Sequence, residues 1–287
     1  MLLRAIFFWF LNLIGIPYLM REFVQKNKVS ILLFHDLNYD GAESVFLFLK
    51  KHYNIINLDD YIEAKKNKKF DEIPEKALII TFDDGHKNNY KLLPLIKKHS
   101  LPITIFLCSG IINTKRNYWF KLNIPNKIKK KLKRISNKDR LDVLLNYNFS
   151  QEKEFNETNA LTKEEIFEMK EHVNFQSHTV FHPCLPKCSK SELLYELSSS
   201  KEKLEDEYEL KINTISYPNG DYDERVIEFS MKCNYTCGIT VDPGYNSLED
   251  DLFKLKRIST NDTLDINELA VKSSGFWSFL QRKMQKK

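Results

Sequence analysis

The chain lacks any uncharged apolar run as long as a bilayer is thick. Its longest, residues 5–20 (AIFFWFLNLIGIPYLM), counts 16 residues between Arg4 and Arg21. A spanning helix takes about 20. This stretch also lacks an A-x-A-like cleavage site, and aromatics crowd where a secretory signal is rich in leucine or alanine. Cysteine is odd in number, five in all, which excludes complete internal disulfide pairing. The spacing at Cys184/Cys188 and Cys233/Cys237 is looser than the C-x-x-C knuckles of a four-thiolate zinc site. Free thiols in a reducing compartment account for the set better. Glycine is scarce, 8 of 287 residues, beside abundant Lys, Asn and Ile, a composition in keeping with an AT-rich bacterial genome. No internal repeat and no long disordered tract is evident. Basic residues exceed acidic ones by only 44 to 39, and no nucleic-acid motif accompanies them.

What is present suffices for a sizeable core. Hydrophobic residues make up 42%, enough for one large α/β barrel or two small domains. Within residues 5–20, Phe7, Phe8, Trp9, Phe10 and Tyr18 suit the boundary between lipid headgroups and acyl chains. The favoured reading is a retained monotopic anchor on the cytoplasmic side of a bacterial inner membrane. An uncleaved anchor of an exported protein comes second, and a helix packed on the protein itself third. Residues 121–140 hold nine Lys/Arg against the single Asp139. Such a cluster fits anionic lipid or a diphosphate headgroup, and equally a solvated helix in an insertion.

Apolar runs at residues 29–34, 54–58, 77–82, 103–107, 173–176, 213–217, 236–241 and 253–259 read as strands. Helical spacing follows at 88–99, and capping boxes at Thr162/Glu165 and Ser189/Glu192 open two further helices. Residues 110–160 show no clear core pattern and read as an insertion or lid. Strands alternating with helices predict a parallel sheet or barrel. His35, Asp83, Asp84, His178, Asn219, Asp242 and Arg257 all fall at or just past strand C-termini, the face where α/β barrels assemble active sites.

Two carboxylates, Asp83 and Asp84, end a buried run, and such groups need a charged partner. His178 and His182 lie four positions apart. One Asp with two His makes a three-ligand zinc site with a position open for water. The other Asp is then free to act as a base.

Thr81-Phe82-Asp83-Asp84-Gly85 with Asn88-Asn89-Tyr90, SHTVFH at 177–182 and YPNGDY at 217–222 resemble three motifs of the polysaccharide deacetylases, carbohydrate esterase family 4 (the NodB-homology domain). The resemblance spans roughly residues 29–260. It implies a distorted (β/α) barrel of seven or eight strands. The expected layout is a membrane-associating hydrophobic helix at 1–26, a catalytic barrel at 27–262 with its insertion at about 111–160, and a tail at 263–287. Carried over by position, Asp84, His178 and His182 would hold a divalent metal, most often zinc, and Asp83 would be the base. The backbone N–H of Asn219 would help hold the oxyanion, a donor of the kind worth roughly 3–4 kcal/mol of barrier. His86, Tyr217, Pro218, Gly220 and Asp242 are the expected substrate contacts.

Two departures stand out. Ser216 occupies the place where the family's third motif carries an Arg that braces the base, and no histidine follows His182 to act as the acid. Arg257 on the last strand is expected to brace Asp83. His35, ending a first strand that lies beside the last in a closed barrel, is the expected acid, with His86 as competitor. Tyr118-Trp119-Phe120 suits stacking on a sugar or lipid as well as it suits core packing. The resemblance thus implies a metal-dependent N-deacetylase of an amino sugar in a bacterial surface glycan or its lipid-linked precursor, with no nucleic-acid partner. Deformylation or O-deacetylation of a lipid-linked sugar, and glycan binding without turnover, are the alternatives.

Overall fold

In the computed structural model, which describes residues 2–285, the unbroken apolar runs form parallel strands covered on both faces, as parallel sheets require. They are β1 (Ser30–Phe34), β2 (Asn54–Ile55), β3 (Ala77–Phe82), β4 (Ile103–Leu107), β5 (Val173–Ser177), β6 (Thr214–Ser216), β7 (Cys237–Pro243) and β8 (Leu255–Ser259). Pairing runs from β3 through β1, β8, β7, β6, β5 and β4 back to β3, which closes a seven-stranded barrel with β2 added beside β3. The closing register pairs Ser30 with Leu78 through Phe34 with Phe82. Between β5 and β6 only Ser177 and Ile215 pair, and there the barrel is distorted.

Strand alternation sorts the apolar residues into two layers. Ile31, Ile79, Phe106, Ile239 and Leu255 meet in one cluster with Leu58, Tyr61 and Ile62 of the helix Leu58–Lys66. Because it joins strands from around the ring, this cluster is the barrel interior. Leu32, Phe34, Leu78, Ile80 and Phe82 face outward into the larger cluster shared with the surrounding helices. Continuing the inward set past Ile79 gives Thr81 and Asp83, and past Leu255 gives Arg257.

The segment between β4 and β5, expected to be a basic helical insertion, is helical, and its packing goes beyond that expectation. It carries helices Asn126–Leu132 and Asn137–Leu145 and a small core of its own, built from Trp119, Ile124, Leu132, Leu144 and Phe149. Its apolar residues are spaced irregularly over short helices and loops, so no periodic signal marks them. Both predicted capping boxes form, at Thr162/Glu165 and Ser189/Glu192. All five cysteines are free and buried.

The N-terminal helix Leu2–Leu13 docks on the helix Ile266–Ser273, in the segment expected to be a tail. Phe8 and Leu11 pack on Val271, Arg4 pairs with Glu268 at 2.6 Å, and Asn12 Nδ2 donates to Asn267 Oδ1 at 2.8 Å. At Gly15, with φ +78°, the chain turns and Ile16–Gln25 leaves at 54°. Among the described residues no single helix is long and apolar enough to cross a membrane. Phe276–Gln285 forms a last helix, and residues 286–287 lie outside the described residues.

Candidate active site

Asp83 extends the inner face of β3, and the next residue turns the chain. Asp84 has φ +73° and Gly85 φ +69°. At Gly85 a Cβ would stand 2.5 Å from Leu107 Cδ2, so the turn demands glycine there. Thr179, His182 and Asn219 share the left-handed conformation, with φ of 70°, 54° and 58°. Non-glycine residues held this way cost on the order of 1 kcal/mol each and persist where the surroundings over-determine them.

These turns bring Asp84, His178 and His182 together, with ligand atoms all within 4.8 Å of one another. Asp84 Oδ1 lies 3.6 Å from His178 Nε2 and 3.6 Å from His182 Nε2. His178 Nδ1 is 2.7 Å from the Ser216 carbonyl, which can only accept. The Nδ1 position therefore carries the proton, and the Nε2 lone pair faces Asp84. Burial, and then the neighbouring His178, push the His182 imidazole down to about 3, so it is neutral at ordinary pH. Neutral imidazole is the form that binds metal. Asp84 Oδ1 is buried without a hydrogen-bond partner. An ionised, orphaned carboxylate oxygen 3.6 Å from two imidazole Nε2 atoms is a donor set that fits a divalent ion.

Asp83 is held differently. Arg257 Nη1 and Nη2 donate to its two oxygens at 2.7 Å each, and Ser216 Oγ lies 3.2 Å from both. Arg257 Nε donates to the Thr240 carbonyl at 2.8 Å, and Ser216 Oγ accepts from Nη2 at 3.0 Å. Burial alone would raise the Asp83 carboxyl; the Arg257 guanidinium and then His178 outweigh it and hold the group below the usual carboxylate range. Asp84 also lies well below that range, against the upward push of burial, chiefly through its contact with His86.

A pocket of about 160 Å³ opens over these groups, lined by His35, Asp83, Asp84, Phe120, His178, His182, Asn219 and Val241. A larger cavity of about 520 Å³ lies at the amino ends of β4 and β5, and none of the site residues lines it. His35 is partly exposed. Its backbone N–H donates to Asp262 Oδ1 at 2.8 Å, and its Nδ1 lies 3.9 Å from Asp262 Oδ2. Asp262 follows the end of β8 and escaped the sequence reading, although the strand-end rule that selected Arg257 covers it.

Other expected contacts fall elsewhere. Tyr217 is fully buried, its hydroxyl donating to the Phe253 carbonyl at 3.2 Å and its ring lying over Gly238, so it belongs to the core and not to the pocket lining. His86 is also buried, with Nε2 3.1 Å from Asp84 Oδ2; it backs the carboxylate and does not line the pocket. Pro218 is buried beneath the turn that presents Asn219. Gly220, at φ +72°, presses on the Val241 backbone. Asp242 accepts from Tyr222 Oη at 2.9 Å, on the exposed side.

A closed parallel barrel carries two carboxylates and two imidazoles at its carboxyl end, and three of these groups form a cluster consistent with a divalent metal. Residues 71–238 match the polysaccharide deacetylase family, and the chain belongs to that family. YxkH of Bacillus subtilis (strain 168), provisionally described as a polysaccharide deacetylase, is 26% identical over 186 residues. Those residues make up 64% of this chain and 51% of YxkH, so the chain spans about half the length of that curated relative. The Streptococcus pyogenes deacetylase PplD, solved in complex with acetate, superposes with a TM-score of 0.64 at 21% identity, over 86% of this chain and 98% of that one. IcaB from Ammonifex degensii gives 0.63 at 15% identity, over 87% and 98%. At these identities the likeness is one of fold.

The loop between the two histidines has a further support. Glu196, buried on the helix Lys190–Tyr208, accepts from the N–H groups of Val180 at 2.8 Å and Phe181 at 2.9 Å through one oxygen. Burial raises its carboxyl from 4.5 to about 7. The folded state therefore resists ionisation that the unfolded chain undergoes freely, and stability falls as pH rises from about 4.5 to about 7, by on the order of 3 kcal/mol. Glu196→Gln keeps an oxygen for both N–H groups without a charge. In denaturant titrations the variant should gain on the parent across that window. Glu196→Ala, which orphans both N–H groups, should lose roughly 2–4 kcal/mol. Parallel pH profiles for parent and Gln variant would refute this account.

Proposed function

We propose that the chain is a metal-dependent deacetylase of an N-acetylated amino sugar in a bacterial surface glycan or its lipid-linked precursor. One observation carries the reading: the orphaned Asp84 Oδ1 sits 3.6 Å from both imidazole Nε2 atoms, beside a second carboxylate already neutralised by Arg257. A divalent ion held by Asp84, His178 and His182, with zinc the expected one, would supply Lewis acidity toward the amide carbonyl and make water acidic enough for a weak base. Asp83 takes a proton from the attacking water; Arg257 keeps it ionised and aimed. The Asn219 N–H, presented by its left-handed turn, donates to the developing oxyanion. As the C–N bond breaks, His35 gives the amine nitrogen a proton, with Asp262 orienting the ring. Acetate and a free amine leave. The volume of about 160 Å³ suits an acetamido group with water, leaving the sugar ring at the mouth. Acetate is also the molecule found with PplD.

Acetate release from N-acetylated oligosaccharides tests the reaction. It should vanish on chelation, return with zinc, and drop roughly 10²–10⁴-fold in Asp83→Asn with metal content unchanged. Release of formate, or of acetate from O-acetyl groups alone, moves the assignment to those acyl groups. Metal binding without any turnover would make the barrel a glycan-binding pseudoenzyme.

The acid is tested with leaving groups of two kinds. His35→Ala and Asp262→Asn should slow N-acetyl hydrolysis by roughly 10²-fold or more while leaving p-nitrophenyl acetate hydrolysis within a few-fold, because a phenolate departs unprotonated. Equal losses on both substrates would remove His35 from that role.

The membrane is the other proposed partner. Among the described residues, 12 of the 22 exposed large hydrophobic side chains lie between Leu2 and Val24. The docked face of Leu2–Leu13 is satisfied, so the surplus points outward, as on an interfacial helix. Flotation with phospholipid vesicles should carry the protein up. Trp9→Asp with Leu13→Asp, at positions 51% and 65% exposed, should abolish flotation and leave the melting temperature unchanged.

A further inference from the structure

Four consecutive residues, Tyr118 to Lys121, where the basic segment begins, each touch one of the two loops that carry the candidate ligands. Tyr118 Oη donates to the Asp84 carbonyl at 2.7 Å, and its ring stands edge-on to His86 at 5.2 Å. Trp119 Nε1 donates to the His182 carbonyl at 2.9 Å. The Phe120 ring lies 4.6 Å from the His182 ring. Lys121 Nζ reaches His86 Nδ1 at 3.2 Å. The tetrapeptide is fastened from behind, since the buried Arg140 guanidinium lies 4.9 Å from the Trp119 ring. The ligands themselves come from the ends of β3 and β5, so one short stretch from outside the barrel ties both strand ends together.

The Lys121 end of this stretch has a definite chemical direction. An ammonium can only donate, so His86 Nδ1 must accept and His86 Nε2 must carry the ring proton. That proton points at Asp84 Oδ2, 3.1 Å away. One carboxylate oxygen is thereby occupied and the other, Oδ1, is left facing both ligand imidazoles without a partner. We propose that residues 118–121 form a brace for the metal site, in which Lys121 sets the tautomer of His86 and His86 sets the rotation of Asp84, so that Asp84 offers the ion a single oxygen. Lys121 and His86 are positioning residues: neither lines the pocket. The inference rests on the metal-site reading above and adds what makes that site geometrically definite.

Zinc affinity of the full chain, measured by competition with a chromogenic chelator, tests it without any assay of turnover. Lys121→Met and His86→Phe should each weaken zinc binding roughly 10- to 100-fold, the usual effect of losing an outer hydrogen-bond partner. The metal-free melting temperature should stay put in Lys121→Met, whose side chain is exposed. Lys121→Arg restores a permanent donor and should recover most of the affinity. A merely structural contact would lower the metal-free melting temperature and leave zinc affinity alone. If the parent binds zinc and both variants bind it equally well, the brace is wrong while the metal site stands. If the parent binds no divalent ion, the metal reading fails and takes the brace with it.

Discussion

Two neighbouring carboxylates buried at the end of one strand need two separate sources of positive charge. Side by side they repel, and burial pushes each toward its neutral form unless a cation holds it ionised. The chain supplies the first cation itself: Arg257 engages both oxygens of Asp83 from the opposite side of the barrel seam, with side-chain exposures of 0% and 5%. Removing a partner from so buried a pair costs about 3–5 kcal/mol, because the remaining charge is stranded. Asp84 receives only the hydrogen bond of His86 on one oxygen. Its remaining demand is one that a divalent ion would meet.

Arg257 from β8 and Ser216 from β6 meet in one network around Asp83. The inner faces of β3, β6 and β8 converge on the same place, so a guanidinium can reach Asp83 from any strand whose inward residue ends there. Arg257 does so from β8, and its Nη2 rests 3.0 Å from Ser216 Oγ. A long side chain at 216 would occupy that space; a serine leaves it open and contributes a hydroxyl to the same network. The closed seam between β1 and β8, where Leu33 pairs with Ser259, likewise sets His35 beside Asp262.

Much of this was legible in the chain, and the illegible parts share a cause. Strands buried on both faces write themselves as continuous apolar runs, and strand-end polar residues follow from the alternation, which is how Asp83, His35 and Arg257 could be singled out together. Contacts between loops carry no such period. Lys121 stands alone between Phe120 and Leu122, six positions before the lysine cluster, and nothing there marks it as the one that meets a histidine. Tyr217 belongs to a motif that suggests the pocket, yet the missing Cβ of Gly238 gives its ring a place in the core: an added Cβ would stand 2.1 Å from its hydroxyl. In the N-terminal helix Phe8 is buried while Phe7 and Phe10 are exposed. Residue type alone could not separate the docked face from the free one; the partner helix lies more than 250 positions away.

The left-handed turns at Asp84, Thr179, His182 and Asn219 would relax if their surroundings allowed it. Each neighbouring segment removes that freedom through a different contact. Ser216 anchors His178, Glu196 holds the two peptides between the histidines, and Tyr118 and Trp119 hold the carbonyls of Asp84 and His182. These restraints come from β6, from a flanking helix and from the segment between β4 and β5, so none can be loosened by moving a single element. Folding has therefore already met the cost of ordering the ligands. An ion bound by Asp84, His178 and His182 would then not have to gather the loops, and its affinity could go into the ion itself.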